Sequence, residues 1–206
     1  MTKLLWHNPG RRTYEHGIER GVLYPNSGPG LAWNGLISVE ETPSDYETAA
    51  MYYDGKRYAN RATSGVFSAV LEAYTYPELF EQYQGGSFMT NPRKSEFGLS
   101  YRTLLGNDLV GSGYGYFIHL VYNAMVKREN TTYESDGGDH NLTNFSWLIS
   151  TRPSKSEAIG TGSHLIIDSS VTDPEVLRQL ENTIYGDDTQ APRLPTFDEV
   201  FQMFGT

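Results

Sequence analysis

From Val66 to Thr75 the chain alternates with a period of two. Phe67, Ala69, Leu71 and Ala73 fall on one face, and Ser68, Val70, Glu72 and Tyr74 on the other; only the first face is uniformly apolar. That pattern belongs to a strand with one buried face, and strand-like runs recur along the chain. They cover Arg20 to Tyr24, Ala32 to Glu40, Ala49 to Tyr53, Lys56 to Ala59, Phe97 to Leu104, Tyr114 to Val126, Phe145 to Thr151 and Leu165 to Ile167. Asp54-Gly55 lies between two short Tyr-containing runs, which reads as a two-residue hairpin because both turn positions favour positive φ. Ahead of these strands, residues 1–20 are Gly-punctuated with little periodicity and are expected to form an extended N-terminal arm.

Helical signals are few and mostly late. Pro77 to Tyr83 fits a short helix with Pro in its first turn. Thr172-Asp173-Pro174-Glu175 supplies an N-cap, an early Pro and an acidic first turn. Val176, Leu177, Leu180 and Ile184 follow at helical spacing before Gly186, so a helix over 172–185 is expected to pack onto the sheet. Thr196-Phe197-Asp198-Glu199 repeats a capping-box pattern and predicts a short helix over 196–204. Many strands with one main helix imply a mainly β, α+β single domain over 1–206: a sandwich or barrel carrying a helix on its surface.

Composition excludes several classes of chemistry. With no cysteine, disulfide frameworks, thiolate metal sites and Cys nucleophiles are all out. A net charge of −9 argues against gripping phosphates, since nucleic-acid affinity comes mainly from Lys and Arg releasing counterions. No run approaches the ~18 apolar residues of a membrane helix. The N-terminal Leu4-Leu5-Trp6 is too short for a signal-peptide core, so the expectation is a soluble chain not exported by that route.

Catalytic patterns are missing or incomplete, and no enzymatic activity or cofactor is expected. Glu134-Ser135-Asp136-Gly137-Gly138-Asp139-His140 is the best metal candidate, but it lacks the alternating ligands and terminal Glu of a calcium loop and reads as a solvated loop. Gly111-Ser112-Gly113-Tyr114-Gly115 opens onto a β-rich run and not a helix, so it reads as a turn and not as a phosphate cradle. Ser163-His164 and Asp168 are near one another in sequence, which does not make a triad. His119, inside a strand-like run, reads as a hydrogen-bonded sheet residue, and the adjacent carboxylates Glu40-Glu41 should diverge.

Several segments together resemble a known family. They are GVLYPNSGPGLAWNGLISVEE (Gly21 to Glu41), EAYTYPELFEQYQG (Glu72 to Gly85), FGLSYRTLLGND (Phe97 to Asp108), GYFIHLVYNA (Gly115 to Ala124) and LIIDSSVTDPEVLRQLENTIYGDDTQAPRLPTFDEV (Leu165 to Val200). In this order, from about Tyr14 to Phe204, they resemble major tail proteins, the tail-tube subunits of long-tailed, non-contractile bacteriophages. The resemblance implies two packed antiparallel sheets flanked by a helix, and hexameric rings in which neighbouring sheets join edge to edge around a lumen. It also implies ring stacking through arms and a long loop. The implied partners are further copies of the chain, a tape-measure protein, tail terminator and distal tail proteins, and DNA passing without tight binding; no membrane is involved. The implied location is the virion tail, assembled in the host cytoplasm.

On that resemblance the hairpin-containing segment 42–63 reaches the next ring, and Met51, Tyr52, Tyr53, Asp54, Lys56 and Tyr58 are expected inter-subunit contacts. Ser68 and Glu72, opposite the apolar face, are the lumen candidates, and a net negative charge would let DNA slide past. Other readings remain open at this point: a capsid decoration protein, a distal tail adaptor, or a carbohydrate-binding module suggested by the many aromatics.

Overall fold

The computed structural model describes residues 6, 8–42, 48–53, 56–63, 65–84, 95–131, 133, 143–156 and 160–205, with backbone only for 48–53 and 56–63. Twelve strands occur among them: β1 (Thr13–Tyr24), β2 (Leu31–Trp33), β3 (Leu36–Thr42), β4 (Thr48–Tyr53), β5 (Lys56–Thr63), β6 (Ser68–Ala73), β7 (Phe97–Asn107), β8 (Gly111–Arg128), β9 (Phe145–Thr151), β10 (Ser154–Ser156), β11 (Gly160–Gly162) and β12 (His164–Asp168). Two α-helices follow, α1 (Pro174–Tyr185) and α2 (Phe197–Phe204). A 3-10 turn occupies Glu78–Tyr83, where the sequence predicts a short helix.

The architecture turns on β8. Its first part pairs with β12 up to Val121 and with β7 up to Ala124, and its last part, Ala124–Arg128, pairs with β9. At this change of partners lies Asn123 with φ 50°, a left-handed position that Asn tolerates better than most residues. Arg152 donates its N–H to the Asn123 carbonyl, and the Asn123 amide donates to the Arg152 carbonyl, both at 3.1 Å. One strand thereby serves two wings of a ten-stranded antiparallel sheet. The larger wing has the order β2-β1-β7-β8-β12-β5-β4, and the smaller runs β3-β6-β9 onto the far end of β8. Segment 42–63 supplies β4 and β5, with β5 hydrogen-bonded to β12.

The wings pack face to face. Leu23, Trp33, Phe97, Leu99 and Val121 from the larger wing meet Ala69, Leu71, Ala73, Trp147 and Ile149 from the smaller, with Phe67 and Phe80 closing the end. The alternation at 66–75 therefore points as expected: Phe67, Ala69, Leu71 and Ala73 are buried, and Ser68, Val70 and Glu72 lie half-buried on the opposite face. A second core lies on the outer side of the larger wing. There Ile118, Leu120, Tyr122, Leu165 and Ile167 receive Leu180 and Ile184 of α1 and Phe197 and Val200 of α2. Tyr24 binds the two layers together, its buried hydroxyl donating to the Ile184 carbonyl at 2.8 Å beside Ser100 Oγ at 3.0 Å.

The caps form as the sequence predicts. Asp173 accepts from the N–H groups of Glu175 and Val176, and Thr196 with Glu199 completes a reciprocal capping box. Three expectations need correcting. The single strand expected over Ala32 to Glu40 is two, β2 and β3, because a turn at Asn34-Gly35, with Gly35 at φ 87°, carries the chain from the larger wing to the smaller. The strand expected at Arg20 starts at Thr13, because residues 13–19 find ladder partners on β7 that no local pattern announces; the bulge at Arg20, φ 50°, breaks the alternation that would have revealed it. The glycines at 111–115 lie in β8 and not in a turn. The turn is made by Asp108–Val110, where the Asn107 carboxamide oxygen accepts from Leu109 N and Val110 N. The short β10–β11 hairpin was not anticipated.

Candidate functional site

Two features stand out: the margins of the smaller wing, and a polar cluster between the wings. Strand β3 pairs only with β6, so its other edge has no ladder partner among the described residues. On the far side of the same wing, Met125–Arg128 pairs with β9, while pairing to β7 ends at Ala124 and to β12 at Val121. Among the described residues the wing thus has two margins without a ladder partner, on opposite sides. Glu40 and Glu41 lie on the first and Lys127 and Arg128 on the second.

The outward face of this wing is mostly polar. Register places Ser38 opposite Glu72, Glu40 opposite Val70 and Thr42 opposite Ser68, with Ser146, Leu148 and Ser150 of β9 completing the rows. The Ser38 hydroxyl donates to Glu72 Oε2 at 3.2 Å. Ser68 and Glu72 therefore share one face, as their spacing predicts. Of the expected contact residues, Met51, Tyr52 and Tyr53 lie on β4 and Lys56 and Tyr58 on β5, with their side chains outside the described residues. Asp54 and the run Glu134 to His140 lie wholly outside them.

The polar cluster is assembled from four strands. Tyr101 of β7 stands opposite His119 of β8, which stands opposite Ile166 of β12. His164 faces Val121, so the two histidines are diagonal neighbours on the inner face. Glu41 arrives from the other wing, paired with inward-facing Ala69, while Glu40 points out. His119 Nδ1 lies 3.2 Å from both Glu41 Oε1 and His164 Nε2. Its Nε2 lies 3.2 Å from Thr103 Oγ1, and the Tyr101 hydroxyl donates to Glu41 Oε1 at 2.6 Å. Tyr101 stacks on the His119 ring at 4.4 Å, and Phe67 covers His164 at the same centroid distance. Both imidazoles are buried, whereas the Glu41 side chain is 39% exposed, so the cluster opens to solvent at its carboxylate.

Burial of Glu41 works to raise its pKa, but the His119 hydrogen bond, the charges of His164 and His119 and the Tyr101 hydroxyl outweigh it and hold the carboxyl at about 2. Burial, helped by the neighbouring His119, pushes His164 down to about 3 against an ordinary 6.5. Both groups bind protons less readily folded than unfolded. Their contribution is whole above about 6.5; it falls as the unfolded imidazole protonates below 6.5, falls faster as Glu41 joins below 4.5, and is gone near 2. Urea unfolding in chelator should show a midpoint that drops from pH 6.5 downward. His164→Gln should flatten the upper part of that slope; a midpoint level between pH 6.5 and 4.5 would contradict the assignment.

The remaining sequence candidates do not converge. Ser163 Oγ donates to the Gly65 carbonyl at 2.6 Å and accepts from Phe67 N, while Asp168 accepts from Ser170 N and Oγ, so Ser163, His164 and Asp168 form no relay. Sequence reasoning placed His119 correctly as a hydrogen-bonded sheet residue and separated Glu40 from Glu41. It missed that Glu41, His119 and His164 meet. The available signal was parity for two of them, because Glu41 shares its strand face with Val39 and His119 shares its face with Val121, both packed in the core between the wings.

No family model matches the sequence, and no curated protein matches it. Three solved structures share part of the chain trace. One comes from the sheath-tube complex of the PVC extracellular contractile injection system in its extended state, at 16% identity over 65% of this chain and 84% of that one, TM-score 0.34. Another is from the sheath/tube terminator of the same system, at 14% identity over 68% and 94%, TM-score 0.32. The third is from the 6-fold symmetrised baseplate of the anti-feeding prophage, at 16% identity over 72% and 91%, TM-score 0.30.

Proposed function

We propose that the chain is a structural subunit of a phage-type tail tube, which associates with copies of itself into closed, stacked rings around a lumen. The observation that carries this reading is the pair of margins, unpaired among the described residues, on the β3-β6-β9-β8 wing. An acidic margin bearing Glu40 and a basic margin bearing Lys127 and Arg128 are complementary in backbone hydrogen bonding and in charge. Joined head to tail, such margins make a heterologous contact that closes into a ring when the rotation per copy divides a full turn. The sequence resemblance adds the same expectation, with hexameric symmetry, a tape-measure protein within and DNA as the passing cargo.

The outward face of that wing, with Ser38, Glu40, Ser68 and Glu72, lines the lumen in this arrangement. Hydroxyls and carboxylates there, with Lys127 at the margin paired to Glu40 of the next copy, would give a polyanion little to grip. Segment 42–63, with Met51, Tyr52, Tyr53, Asp54, Lys56 and Tyr58, is assigned to contacts between subunits.

The experiment is a charge exchange read by negative-stain electron microscopy and mass photometry. Wild-type protein should form rings or tubes. Glu40→Lys and Lys127→Glu should each raise the concentration needed for assembly at least tenfold, about 1.4 kcal/mol per contact. The double variant Glu40→Lys/Lys127→Glu should recover most of the loss. A wild-type chain that stays monomeric at high concentration would end the proposal, and single variants that assemble normally would reject this pairing of margins.

A further inference from the structure

The geometry points to a site for one borderline-soft divalent cation, of the Zn2+ kind, held by Glu41, His119 and His164 between the two wings. The donor atoms, a carboxylate oxygen, Nδ1 of His119 and Nε2 of His164, all lie within 4.8 Å of one another. Two of the three separations, His119 Nδ1 to Glu41 Oε1 and to His164 Nε2, are 3.2 Å. A tetrahedral zinc with bonds of about 2.0–2.1 Å sets its ligand atoms roughly 3.3–3.4 Å apart. Two of the three gaps therefore already match the edge of a zinc tetrahedron, and the third is within 4.8 Å.

Proton accounting favours the same conclusion. In the metal-free cluster a single N–H at His119 Nδ1 faces two acceptors, Glu41 Oε1 and His164 Nε2, and cannot point straight at both. A cation at the centre would instead take a lone pair from each. The surroundings are those expected around ligands. Thr103 Oγ1 meets the outer nitrogen of His119, fixing which nitrogen faces inward, and the Tyr101 hydroxyl holds the Glu41 carboxylate. Tyr101 and Phe67 wall the rings from the sides. The carboxylate is the exposed member of the three, so an ion would enter from the Glu41 side and take a water there as its fourth ligand.

A donor set of two imidazoles and one carboxylate suits zinc, and equally cobalt or nickel, over the hard cations Mg2+ and Ca2+. Glu41 comes from the smaller wing and the histidines from the larger, so a bound ion would clasp the sandwich. This inference does not depend on the ring-forming role.

The test uses untagged full-length protein, stripped with chelator and titrated with Zn2+. Calorimetry and metal analysis should give one ion per chain. At a hundredfold excess over Kd the melting temperature should rise by about 5–10 °C. Mg2+ and Ca2+ should leave it unmoved, and Co2+ should give the visible d–d spectrum of a tetrahedral site. Glu41→Gln and His164→Gln should weaken binding at least about a hundredfold, and Thr103→Val, which spares every ligand, about tenfold. If a ligand variant fails to fold, X-ray absorption on the wild-type Zn2+ complex decides: two imidazoles and an oxygen donor support the site. Absence of saturable 1:1 binding, or an unchanged affinity and thermal shift in His164→Gln, would overturn it.

Discussion

Trp147→Ala is expected to destabilise the protein by about 4–5 kcal/mol, the upper end for an aromatic-to-alanine change in a core. Trp147 is fully buried where β9 meets the larger wing. Its ring lies edge-on to Trp33, Phe80 and Tyr76 at 5.8, 5.3 and 5.4 Å, and stacks with Phe145 at 5.9 Å. Its indole N–H donates to Gln84 Oε1 at 2.9 Å. Removing it leaves a void that five neighbours from four segments cannot fill together and strands a polar group. Trp147→Phe keeps most of the volume and should cost less than half as much. Chemical denaturation at neutral pH measures both; Leu79→Ala, at a half-exposed side chain, is a control expected within about 0.5 kcal/mol. Equal losses for Trp147→Ala and the control would show that the two wings do not share this core.

Arg102→Ala should cost about 2–3 kcal/mol for a different reason. Arg102 sits on the helix-facing side of β7 with its side chain 10% exposed. It pairs with Glu19 of β1 and with Glu181 of α1, the latter at 3.1 Å, and its guanidinium lies 3.7 Å from the centre of the Tyr116 ring. The Tyr116 hydroxyl donates to the same Glu181 oxygen at 2.9 Å. Deleting the cation leaves two carboxylates with reduced solvation and no counter-charge, which is why breaking such a group costs more than the group adds. The partial exposure of both glutamates holds the figure below that of a fully buried pair. The triple change Arg102→Met/Glu19→Gln/Glu181→Gln should recover most of the loss; if it is no better than Arg102→Ala, packing on Tyr116 and not charge is what the arginine supplies.

These two residues show how unevenly the fold can be read from sequence. Trp147 lies in a strand whose bounds, Phe145–Thr151, are visible in the pattern, and its parity alone suggests burial. Arg102 looks like a surface residue in a strand, because nothing local reveals that β7 is covered on both faces. The same holds for the cluster. His119 and His164 are 45 positions apart in sequence and Glu41 a further 78 from His119, and they converge only because β8 is shared between wings. The start of β1 was hidden by its bulge, and the glycines of 111–115 mimicked a turn because strand glycines and turn glycines look alike without their ladder partners.

What the sequence determined by itself is local: which residues alternate, where helices begin and end, which faces are apolar, and that cysteine chemistry is excluded. These follow from backbone geometry within a few residues and need no partner. Strand order, the passage of β8 from one wing to the other around Asn123, the margins of the smaller wing left unpaired among the described residues and the meeting of Glu41 with two histidines were decided only by the tertiary structure. Each is a contact between residues distant in the chain, and the energy that selects such contacts, burial of apolar area with hydrogen bonds satisfied, exists only once the layers close.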